Sequence, residues 1–84
     1  MILHVFNQPI TALPAVISAG DAILLIENAV YGQLNGDNCR PDVKLFALEA
    51  DLKARGVTAQ SDLMVIDYAG FVSLCTEYDK VVSW

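Results

Sequence analysis

The most constraining feature of this sequence is the run Ala22-Ile23-Leu24-Leu25-Ile26, five apolar residues in a row with Asp21 before it and Glu27 after it. An uninterrupted apolar run of this length is far too short to cross a bilayer. It suits a strand covered on both faces, as in a parallel sheet flanked by helices. The rest of the chain fits the same scheme. Ile2–Phe6 reads as a first strand, Val43–Leu48 as a third, Leu63–Ile66 as a fourth and Lys80–Trp84 as a short last one.

Between the strands lie helical signals. Leu13, Val16 and Ile17 have helical spacing within Ala12–Ala19, with Thr11 as cap, Pro14 in the first turn and Gly20 as terminator. Asn28–Leu34 predicts a short helix carrying Val30, Tyr31 and Leu34 on one face. Asn35-Gly36-Asp37-Asn38 is a turn cluster, with Pro41-Asp42 closing the loop. Glu49–Arg55 places acidic residues first and Lys53 and Arg55 last, which complements the helix dipole, and Gly56 follows as the expected stop. Asp67 can cap a last helix running to about Tyr78. The alternation predicts an α/β fold: one three-layer domain over residues 1–84, with a mostly parallel five-stranded sheet and helices on both faces.

Size sets the next constraint. A domain of 84 residues buries only roughly 60% of the surface its unfolded chain exposes. Hydrophobic residues make up 55% of this one and charged residues 18%, against the usual ~45–50% and ~25% of soluble domains. Apolar surface in excess of what so small a core hides is expected in contacts with other chains.

Several function classes are disfavoured. The longest stretch without a formal charge, Met1–Gly20, is broken by Asn7, Gln8, Pro9, Thr11, Pro14 and Ser18 and does not suit a membrane span. Met1-Ile2-Leu3-His4 lacks the basic start of a secretory signal, so a cytoplasmic location is expected. Ten acidic residues against five scattered basic ones, a net charge of −5, provide no basic groove for direct contact with nucleic acid. No glycine-rich phosphate loop and no GxSxG elbow is present, and Cys39 and Cys75 form neither a CxxC pair nor a zinc-ligand pattern. No metal and no cofactor is expected.

Few residues remain as candidates for chemistry. His4 lies within an apolar strand and reads as a hydrogen-bonded histidine near the sheet. Cys75 shares one helical face with Phe71, Leu74 and Tyr78, which directs it to the core, where a thiol is inert. Asp67 and Tyr68 follow a buried strand, where ligands often bind, yet an acidic cap and an aromatic anchor account for both. Cys39 sits in a polar loop beside Arg40, whose charge favours the reactive thiolate. It is either a persulfide carrier or an incidental loop thiol.

These residues carry a resemblance that runs along nearly the whole chain. Ile2-Leu3-His4, Gly20-Asp21 with Ile23-Leu24-Leu25-Ile26-Glu27, Leu45-Phe46-Ala47-Leu48, Asp51-Leu52-Lys53-Ala54-Arg55-Gly56, Ile66-Asp67-Tyr68-Ala69-Gly70-Phe71-Val72 and Trp84 resemble, in order, the TusB/DsrH family. The resemblance implies a DsrEFH-like α/β fold and a subunit of a sulfur-relay (sulfurtransferase) complex without a catalytic site of its own. It implies homologous TusC/DsrF-like and TusD/DsrE-like partners in a heterohexamer, with the principal sulfur-carrying cysteine on the TusD/DsrE-type partner. The pathway is then either 2-thiouridine formation at the tRNA wobble position or Dsr-type sulfur oxidation. DsrH-type members carry a cysteine in the first helix, where this chain reads Ala12-Leu13-Pro14-Ala15-Val16, which favours the TusB type. Asn28-Ala29 stands where the family usually has Asp-Gly. A chain that needs such partners is expected to self-associate when isolated.

Overall fold

The computed structural model describes residues 1–10, 15–32, 42–59 and 63–84. Five strands are present among the described residues: β1 (Ile2–Phe6), β2 (Ala22–Leu25), β3 (Lys44–Leu48), β4 (Met64–Ile66) and β5 (Lys80–Ser83). They form a single sheet in the order β4-β3-β2-β1-β5, and every neighbouring pair is parallel. The chain therefore steps outward from β1 to β4, then returns across the whole sheet to place β5 beside β1.

That return is carried by helix α2 (Tyr68–Glu77), while helix α1 (Glu49–Arg55) joins β3 to β4. The two helices lie against opposite faces, because strand side chains alternate between two cores. Ile23 and Leu25, with Leu45 and Ala47, face Val30 and Leu52. Leu24, Leu3 and Phe46 face Leu74, with Phe71, Cys75 and Tyr78 packed at its margin. All four residues of β2 are completely buried, as a strand covered on both faces requires.

Local chemistry explains the helix ends. Gly56 adopts φ 63°, the left-handed conformation that other residues adopt only with strain. Its N–H bonds Lys53 O while Val57 N–H bonds Leu52 O, which satisfies the last carbonyls of α1. Along that helix Lys53 reaches Glu49 at 3.3 Å and Arg55 reaches Asp51 at 3.2 Å, both one turn apart. At the start of α2 the Asp67 carboxylate accepts from Gly70 N–H at 2.8 Å, so the expected cap is formed.

Two connections differ from expectation. The segment Ala12–Ala19 predicts a helix capped by Thr11; residues 11–14 lie outside the described ones, and Ala15–Ala19 forms turns. Asp21 explains the difference. Its side chain takes the Ser18 N–H at 3.0 Å, its own N–H bonds Ser18 O, and Gly20 turns at φ 86°. A side chain that captures a backbone donor in this way competes with helix hydrogen bonding. The next connection is a 3-10 helix, Glu27–Gly32, begun by an Ala29 N–H to Ile26 O bond. Leu34 and the turn cluster 35–38 lie outside the described residues.

Replacing Asp67 with alanine removes the cap of α2 and should lower the unfolding free energy by about 1 kcal/mol. Asp67→Asn should recover most of it; urea denaturation of the three proteins makes the comparison.

Candidate functional site

Parallel pairing of β1 with β2 sets Leu3 against Ala22 and His4 against Ile23. Asp21, one residue before β2, thereby comes beside His4, and both side chains are almost fully buried. Asp21 Oδ2 lies 3.0 Å from His4 Nε2, and Oδ1 accepts from Ile2 N–H at 2.9 Å. With the Ser18 N–H, three donors converge on one carboxylate. On the far side of the ring, Trp84 Nε1–H donates to His4 Nδ1 at 3.1 Å. An indole nitrogen only donates. Nδ1 is therefore the acceptor, and the ring hydrogen belongs on Nε2, directed at Asp21. The Trp84 indole also stacks on Phe6 with centroids 5.4 Å apart and planes 9° apart, and its backbone N–H bonds Val5 O.

Burial pushes the Asp21 carboxyl up, since it penalises the charge, but the hydrogen bonds from His4, Ile2 and Ser18 outweigh it and bring the pKa to about 2. The Tyr78 hydroxyl is pushed up by burial, then by the charges of Glu77 and Asp21. The arrangement can hold a shape firmly. It links β1, the turn before β2 and the residue after β5 through one polar chain with the buried His4–Asp21 pair at its centre. No cavity opens beside it among the described residues, and no group of three metal-ligating side chains forms there.

The other candidates are dispersed. Cys75 is half-buried against the core under α2, as its helical face predicts. Asp67 caps α2 and Tyr68 projects outward, 62% exposed. Cys39 lies outside the described residues. Asp21 and Trp84 were missed as partners of His4. The available signal was an acid immediately before a buried strand, but the pairing depends on sheet register and on a residue 80 positions away.

Apolar side chains accumulate on the outside. Tyr68 and Val72 sit one turn apart on the outer face of α2, Met64 and Val65 on the edge strand β4, and Val81, Val82 and Trp84 on the other edge. No described helix is long and apolar enough to cross a membrane.

Comparison with known proteins shows the same lineage along the chain. The family model "DsrH like protein" matches residues 6–81. Protein TusB of Escherichia coli (strain K12) is 34% identical over 80 residues, covering 87% of this chain and 84% of that protein. Protein TusB of E. coli O139:H28 and of Shigella boydii serotype 18 are similar to the same extent.

Asp21 has a lower pKa folded than its ordinary 3.8, so the unfolded chain binds its proton first and stability falls with pH. The contribution should be complete above about pH 4 and lost progressively towards pH 2, amounting to about 2 kcal/mol. Asp79, held low by its hydrogen bond with the Met1 amine, acts alike in wild type and variant. Urea titrations of wild type and Asp21→Asn across that window should therefore show a shallower acid loss in the variant.

Proposed function

The chain belongs to the DsrH-like protein family, and from that membership we propose that it is a non-catalytic subunit of a sulfur-relay complex, supporting persulfide transfer for 2-thiouridine formation at the tRNA wobble position. The single domain 1–84 works in the cytoplasm, joined to TusC/DsrF-like and TusD/DsrE-like subunits in a heterohexamer. The TusD/DsrE-type partner carries the sulfur, and this chain shapes the assembly around it.

The observation that supports this reading is the surface itself. Val72 is 65% exposed, Tyr68 62% and Trp84 47%, on a scaffold whose buried His4 and Asp21 are already hydrogen-bonded to each other. Exposed aromatic and branched side chains on so small a domain mark contact surfaces. An excess of acidic over basic residues, ten against five, argues that partner chains rather than this one meet the tRNA.

A second reading makes Cys39, beside Arg40, a persulfide carrier in its own right, because a neighbouring cation favours the thiolate. A Dsr-type sulfur-oxidation complex would use the same subunit architecture.

Co-expression with the two partner types decides the first reading. A stoichiometric complex that thiolates tRNA, with Cys39→Ser as active as wild type, is the expected result. A soluble monomer that ignores both partners contradicts it. A gain of one sulfur atom on Cys39 by mass spectrometry after incubation with a cysteine desulfurase, together with loss of relay in Cys39→Ser, would favour the carrier.

A further inference from the structure

Strand β5 ends the sheet, and its four residues are all exposed. We propose that this edge, prolonged by Trp84, is where a different and less acidic subunit adds an extended strand of its own, continuing the sheet across the subunit boundary. The inference rests on the subunit reading above and assigns the docking edge within it.

Backbone geometry names the kind of occupant. Along a parallel ladder, alternate residues direct their N–H and C=O groups to the same neighbour. Trp84 N–H bonds Val5 O, and Ser83 pairs with Val5 and Val81 with Leu3 in register. Lys80, Val82 and Trp84 thus face β1, while Val81 and Ser83 turn their backbone groups outward. A row of such groups is satisfied best by another strand.

The usual protections of an edge are scarce here. Strand β5 contains no proline, and Lys80 is its one charged residue. The opposite edge, β4, has three residues, and shortness is itself a protection. Val81 and Val82 are 44% and 37% exposed on opposite faces. Either face can therefore pack side chains of an added strand.

Trp84 supplies the anchor. It is half-exposed yet fixed by the Phe6 stack and by the bond to buried His4. An aromatic residue ordered before binding loses little freedom on contact, which suits a binding hot spot. Charge chooses between occupants. Two copies would each carry a net −5 and repel as they approach, whereas a less acidic chain is not repelled and can meet Lys80 on the edge with a carboxylate of its own.

Amide exchange in the co-expressed complex tests the edge directly. In the complex, the Val81 and Ser83 amides should exchange about tenfold or more slowly than in the isolated chain. Val82, already bonded to β1, should change less. Ser83→Pro, which removes an outward donor, should weaken assembly about tenfold while Ser83→Ala does not. Circular dichroism of the isolated variants checks folding, and the wild-type exchange stands alone if the proline variant is unfolded. A complex that forms with both amides still fast would overturn the edge and leave the subunit reading intact. Absence of any complex would remove both, and equal protection in a homodimer of the isolated chain would replace the partner with a second copy.

Discussion

Asp21 carries a negative charge into a place water scarcely reaches, and it is stable there because three hydrogen bonds meet it. A buried carboxylate lacking partners would be strongly destabilising. Here the donors come from Ile2, Ser18 and His4, and through His4 the chain of bonds continues to Trp84. The first strand, the turn before the second and the residue after the last are thus held by one group. An all-parallel sheet has no hairpins to set its register. A specific polar contact between β1 and the entry to β2 supplies a constraint that apolar packing alone does not, since apolar side chains tolerate slippage better than hydrogen bonds do.

The same topology determines what is left outside. The chain crosses from β4 to β5 over one face, and α1 and the 3-10 helix cover part of the other. Among the described residues, with two α-helices, one 3-10 helix and five strands, the centre at β2 is sealed while both edges and the back of α2 stay exposed. The proposed function draws on that imbalance. Exposed valines, tyrosine and tryptophan at the margins of a sealed centre leave apolar surface of the kind that contact surfaces use, and the family to which the chain belongs is one of sulfur-relay proteins.

Much of this was legible in the sequence where the cause is local. The run Ala22–Ile26 declared a strand buried on two faces because nothing polar interrupts it, and β2 is indeed sealed. Gly56 and Asp67 announced the end of α1 and the start of α2, since each acts through bonds within a few residues. The face Phe71, Leu74, Cys75 and Tyr78 was readable from helical spacing alone. The turns at Ala15–Ala19 were not, because the apolar spacing there suggests a helix while the Asp21 side chain takes the Ser18 N–H. His4 was recognisable as a hydrogen-bonded histidine, but its partners follow from parallel register and from Trp84, neither of which leaves a local pattern.

The dependence of the fold on this polar chain is measured most directly by a double-mutant cycle between Asp21→Asn and Trp84→Phe, with unfolding free energies from denaturant titration. The two side chains are joined through His4, so they should be coupled, by about 1 kcal/mol. Strictly additive losses would contradict the account, since Asp21 and Trp84 would then act as independent contacts rather than as the ends of one network.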